Sequence, residues 1–381
     1  MTPAPDALAS DEPIIRVAVL KKVHEVRLTS TQGATIRGDD ASIGPIQASA
    51  GVLLIRDQPA LSINGQGLGR AVQLELTSSD ARAYLMLNGQ EVAPKLSVYR
   101  DPAAGALTVV AHLPLEDYLC GVLAGEVPYA RWHPEALKAQ AVASRSYALN
   151  QMRARGHDAY DVEADVMSQV FKAGFRDEPA LREAAGATRG LVVTCRGQLF
   201  PTYFHSTSGG HTEAVETVFT EQAPLPPLRG VSSPFSSISP VNAWTARLDK
   251  EELRQKLAAA PELGGRSVGA LRGLRFIATP RSPRRAERVE VVHAQGSFEL
   301  PANRFRLIAG AGVLRSVWID RVSDAGSAFE FSGRGFGHGV GMCQYGSQGM
   351  AQQGYGYRQI LGFYYPGADL TKQYGERTAM R

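Results

Sequence analysis

LEDYLCGVLAGEVPYARWHPEALKAQAVASRSYALNQM, residues Leu115–Met152, holds two helices and the break between them. The first helical run is expected to end at Gly125, since glycine favours a helix end and Pro128 forbids continuation. Glu126 then falls just past the C-terminus. The negative end of the helix dipole disfavours a carboxylate there, and Val127, Pro128, Tyr129 and Trp132 can exclude water. Both effects raise its pKa, which suits a general acid.

The second helix opens with Pro134 in its first turn and Glu135 complementing its N-terminus. It is rich in Ala, Leu and Val up to Met152, so it is expected to be central and buried. Lys138, Val142, Arg145 and Leu149 share one face at spacings of four, three and four. An Arg on such a face wants a carboxylate, a carbonyl or a sugar oxygen. Spacing leaves two readings of Arg145 open: a ligand contact, or a structural ion pair with Glu116, Asp117 or Glu126.

At 381 residues, 44% hydrophobic and 20% charged, the chain can bury a sizeable core in two or three subdomains. A net charge of +4 fits an anionic partner without specifying one. Cys120, Cys195 and Cys343 are an odd count without CxxC or metal-ligand spacing, so no disulfide framework is implied. The opening MTPAPDALASDEP lacks a basic start followed by an apolar stretch and reads as neither signal peptide nor anchor. No segment approaches the roughly 20 apolar residues of a membrane span. Taken literally this describes a cytoplasmic chain, and an exported protein trimmed of its leader looks the same.

The pattern along the chain predicts an α+β fold. Residues 1–13 read as a disordered leader or remnant, and 14–113 as a β-rich region with strands IIRVAVL, HEVRLTS, GVLLI, AVQLEL, AYLML and KLSVYR. Residues 114–240 form a core with helices and a His/Ser loop, VMSQVF and GLVVTC being strands and DEPALREAAGAT a short helix. Residues 241–328 are a small inserted α+β unit with a helix at LDKEELRQKLAA capped by Asp249. Residues 329–381 carry a Gly-rich loop and C-terminal helices that complete the core.

Glycine at every second position from Gly333 to Gly341 would give an extended backbone with a bare face around Gly337 and Gly339 that admits close approach by another chain, a glycan or a helix, the glycan being the expectation. The spacing fails GxGxxG, and no GxxxxGK[ST] occurs. In TYFHSTSGGHTE, Ser206 lacks the GxSxG elbow of a nucleophile. His205 and His338 suit substrate positioning or proton transfer, or each satisfies a buried loop carbonyl. Cys343 reads as a packed thiol, and Cys195 with His205 does not make a zinc site. The run LRGLRFIATPRSPRRAERV reads as a basic hairpin with a solvated face, and its lack of aromatic partners beyond Phe276 argues against nucleic acid.

These residues resemble the SpoIID/LytB family (stage II sporulation protein D and amidase enhancer) of bacterial cell-wall proteins. LEDYLCGVLAGEVP with HPEALKAQAVASRSYAL, then YFHSTSGGHTE, then GRGFGHGVGMCQYGSQGMA with ILGFYYPGADL carry the likeness. FRLIAGAGVLRSVWID fits the family's smaller docking subdomain, so the likeness covers most of residues 14–370. It implies an extracytoplasmic lytic transglycosylase that cuts peptide-stripped peptidoglycan strands to anhydromuramic ends, without cofactor. The alternative it carries is a non-catalytic peptidoglycan-binding enhancer, with a cell-wall amidase as partner. The family's catalytic acid/base falls on Glu126, and other functional positions on Arg145, His205 and Tyr345. Ser206, His338, Gly337 and Gly339 complete the candidate substrate-binding set. Some relatives place cysteines near the position of His205 and bind zinc; Ser206 stands next to it here, so no metal is expected.

Overall fold

Alternating burial along the strand Ile14–Val23 sets the first layer, with Ile15 and Val17 inward. The computed structural model describes residues 12–375 apart from 40–45, 50, 58–60, 68–72, 80–82, 88, 102–104, 157 and 165–168. Residues 1–11 of the expected leader, and residues 166–168 of VMSQVF, lie outside the described residues.

Ile14–Val23 pairs antiparallel with Ala106–Pro114, which continues through Lys95–Asp101 and Gln73–Ser78 to Ala34–Gly38. A second sheet contains Glu25–Ser30 and Gly51–Asp57. Leu28, Ile55, Leu74, Leu96 and Val109 belong to one buried cluster that these two sheets share with the first helix. The fold is mixed α+β.

Ala106–Pro114 runs directly into helix α1, Leu115–Glu126. Helix α2, Pro134–Ala154, is Ala-rich because it is packed on two sides. Its Leu137, Ala141 and Ala148 join the sheet cluster, whereas Ala136, Ala139, Val142 and Ala143 join a second core. That core also takes Val340, Met342 and Cys343. Helix α3 (Pro179–Ala187) packs into the sheet cluster through Leu181, Ala184 and Ala185, while around the second core lie the single turn α4 (Val215–Val218) and strand Phe204–His205 paired in parallel with Met342–Cys343.

The inserted unit has its own core of Leu253, Val289, Phe305 and Phe329. It contains helices α5 (Lys250–Ala258) and α6 (Ala302–Ala309). Asp249 caps α5 as expected, accepting from the N–H groups of Glu251 and Glu252 at 2.9 Å. Ala243–Asp249 pairs with Ala328–Arg334, Ala243 facing Arg334. Helices α7 (Gln344–Gln352) and α8 (Tyr357–Tyr364) then return to the α2 core.

Candidate active site

Helix α1 is one residue longer than its glycine suggested. The Val127 N–H still reaches the Leu123 carbonyl at 3.2 Å, so Glu126 is the last helical residue. The helix stops where Pro128 has no N–H to give. Burial raises the Glu126 pKa, and donors from Val170 and Gln344 offset this in part.

Gln169–Phe171, expected as the end of a strand, run instead as irregular backbone across α1. Two glycines four residues apart make this possible. A Cβ at Gly125 would sit 2.3 Å from the Val170 carbonyl oxygen, and one at Gly121 2.6 Å from that of Lys172. The Lys172 N–H bonds to the Gly121 carbonyl at 3.1 Å, and Tyr118 stacks on Phe171. Tyr118 Oη donates to Gln169 Oε1 at 2.8 Å. So clamped, the segment delivers the Val170 N–H to Glu126 Oε1 at 2.7 Å.

An open cleft of about 530 Å³ lies at this point, lined by Gly125 to Arg131 and by Lys172. Among its lining residues Glu126 is the one carboxylate. The other side of Glu126 is held from α7, where Gln344 Nε2 donates to Oε2 at 3.2 Å. Tyr345 packs edge-on against Trp132, with ring centroids 5.5 Å apart. The Tyr345 N–H bonds to the Ser206 carbonyl at 3.0 Å. Gln348 accepts the His133 N–H at 2.9 Å, tying α7 to the start of α2. Gln344, Val170 and Trp132 were not among the expected site residues. The Gly121/Gly125 spacing was a usable signal for the clamped segment, whereas nothing in the sequence pairs Gln344 with Glu126.

Arg145 does not reach the cleft, and its place in the substrate-binding set is corrected. It is fully buried, with Nε and Nη2 on the two oxygens of Glu116 at 3.0 and 2.7 Å. Its remaining N–H groups reach the carbonyls of Leu191 and Ala185 at 3.0 and 3.1 Å. Of the two readings that spacing left open, the structure takes the ion pair.

His205 and His338 meet each other rather than Glu126, with ring centroids 5.6 Å apart. His205 is buried, its Nδ1 against the Val340 carbonyl at 3.1 Å. Burial, then His338 and Arg285, hold its pKa well below the usual value. His338 is pushed down to about 3 by burial and by Arg306 and Arg285. Both rings are therefore neutral, and neither touches the acid.

The bare face expected on the Gly-rich loop is occupied by the protein itself. Gly335, Gly337, Gly339 and Gly341 have φ of +74°, +106°, +89° and +70°, so the backbone is not an extended strand. A Cβ at Gly337 would meet His205 Cβ at 2.8 Å, and one at Gly339 would meet Arg285 Nε at 2.7 Å. Arg285, expected on a solvated hairpin, is fully buried here and donates from Nη2 to the Ser208 carbonyl at 2.6 Å. The loop thus seats the inserted unit on the core, and its chain reaches Glu126 through Gln344. Gly339→Val is expected to cost stability, about 1–3 kcal/mol from the φ alone, with displacement of Arg285 in addition. A thermal denaturation midpoint equal to wild type would contradict this placement.

The geometry defines a mixed α+β protein with one cleft carboxylate at a helix end, held by two donors. The sequence profile of the SpoIID family, described as stage II sporulation protein, matches residues 103–195, which include α1, α2 and Glu126. The chain is 30% identical over 84% of its length to an uncharacterized protein of Brachyspira hyodysenteriae, covering 82% of that protein. It is 32% identical over 69% of its length to the stage II sporulation protein D of Bacillus amyloliquefaciens, covering 76% of it. Against the amidase enhancer of Bacillus subtilis it is 29% identical over 66% of its length and spans 40% of that longer protein. The chain belongs to the SpoIID family. Its role is therefore tied to the bacterial cell wall.

Proposed function

We propose that this protein is a peptidoglycan lytic transglycosylase that acts outside the cytoplasm, with Glu126 as acid and then base. The observation that carries the reading is Glu126 itself, a carboxyl with a raised pKa and the one acid lining an open cleft. Protonated Glu126 gives its proton to the glycosidic oxygen as the bond to the anomeric carbon breaks, and the electron pair leaves with that oxygen. The carbon-6 hydroxyl of the same N-acetylmuramic acid attacks the anomeric carbon, and its proton passes to the Glu126 carboxylate. One carboxylate suffices for this cycle. A hydrolase acting through water uses a second acid about 5–9.5 Å away.

The likeness to a protein named amidase enhancer supports a second reading, a peptidoglycan-binding module that stimulates an amidase. Digestion of peptide-stripped and intact sacculi separates the two. Anhydromuramic ends are expected, reducing ends would mean hydrolysis, and no cleavage with retained binding would favour the enhancer.

Among the described residues no three His, Cys, Asp or Glu side chains come together as a metal-ligand set. Glycan cleavage is accordingly expected to survive exhaustive chelation. Activity lost on chelation and restored by zinc would show the expectation wrong.

A further inference from the structure

The two oxygens of Glu126 have partners of different kinds. Oε1 accepts the Val170 backbone N–H, a group that can only donate. Oε2 faces the Gln344 amide. Gln344 is 4% exposed and stands in the first turn of α7, 218 residues from Glu126 in sequence. Capping does not explain its placement. The N-cap of α7 is Cys343, whose Sγ accepts the Gly346 N–H at 3.2 Å.

We propose that Gln344 is the positioning residue of the acid: its amide, donating to Oε2 while the Val170 N–H holds Oε1, fixes the Glu126 rotamer at the cleft. This rests on the assignment of Glu126 as the acid. The clamped segment fixes one oxygen from α1's own side and α7 fixes the other, so the carboxyl plane is set by two elements distant in sequence. A misaimed acid loses most of its advantage, because proton transfer needs hydrogen-bond reach of the glycosidic oxygen. Among the described residues, the other charged and titratable groups here are Arg131, Lys172 and Tyr129 lining the cleft, Tyr118 behind it on α1, and Tyr345 next to Gln344.

Gln344→Met removes the donor at similar volume, and Gln344→Glu puts a second carboxyl in its place. A hydrogen bond donated to a carboxylate favours the charged form, so its loss moves the Glu126 titration to higher pH. A carboxyl at 344 moves it further, since two adjacent carboxylates share a proton. Carbon-13 titration of the Glu126 carboxyl in substrate-free protein reads this directly. Activity needs the protonated acid, so the alkaline limb of kcat is expected to move up in the same order. At the pH optimum kcat of Gln344→Met should fall roughly tenfold or more with KM little changed.

A Glu126 titration unmoved in both folded variants overturns the proposal. So does a fall in kcat with the alkaline limb in place, which is the signature of packing alone. Should Gln344→Met fail to fold, Gln344→Glu, nearly the same shape as the native side chain, carries the test. If Glu126→Gln still cleaves glycan, the acid assignment fails separately, while the substrate-free titration still reports whether Gln344 holds the carboxyl.

Discussion

Glu126→Gln is expected to abolish glycan cleavage, lowering the rate about 10²- to 10⁴-fold, in a protein at least as stable as wild type. The amide keeps the volume and can still meet the Val170 N–H and the Gln344 amide, but it cannot carry a proton. The stability half of the result follows from the sign of the pKa shift. Burial raises the Glu126 pKa in the folded state, so between the ordinary carboxylate value and the raised one the folded protein binds more protons than the unfolded chain. Stability therefore falls as pH rises through that window, and above it an ionised, part-buried carboxylate remains as a cost. A neutral amide has no such cost. Cleavage assays on peptide-stripped strands, with thermal denaturation above pH 7, check both halves. Wild-type turnover in the variant would remove Glu126 from the mechanism, and a marked loss of stability would show that the carboxylate holds the fold.

Arg145→Ala is the second large effect, and it falls on stability. The guanidinium closes a fully buried network that joins α1 through Glu116, α3 through Ala185, and the strand at Leu191. Tyr374 Oη near the C-terminus donates to the same Glu116 oxygen as Arg145 Nε. Removing the arginine leaves the Glu116 carboxylate buried without its counter-charge. Breaking such a pair costs about 3–5 kcal/mol, measurable as a lower denaturant midpoint. The double variant Arg145→Met with Glu116→Leu should recover much of that loss, since no unpaired charge remains. A single variant within about 1 kcal/mol of wild type would contradict the network. A folded variant whose KM for glycan alone changes would instead place Arg145 at the substrate.

Local chemistry was legible in the sequence wherever it depends on neighbours along the chain. Pro134 starts α2 and Asp249 caps α5, because a missing N–H and a short acceptor side chain act within one turn. The end of α1 was read within one residue, and its carboxylate was singled out because Pro128 must halt the helix there. Burial is what raises its pKa, against the two donors that lower it.

What the tertiary structure decided are the questions of which partner, and which face, a long side chain finds. Arg145 had several carboxylates in reach by spacing, and only the fold places Glu116 against it with no water to compete. His205 and His338 looked like site residues by type, and the fold pairs them with each other rather than with Glu126. The alternating glycines signalled close approach, and the approaching group is Arg285 of that unit rather than a ligand. Gln344 was silent, since an amide has no local signature and meets Glu126 across 218 residues. By itself the sequence determined α1, α2, α5, the β-rich start and the carboxylate that ends α1, because propensity, capping and proline sterics act over a few residues. The fold alone decided which groups surround that acid, because burial and hydrogen-bond partnership between distant segments exist only once the chain has packed.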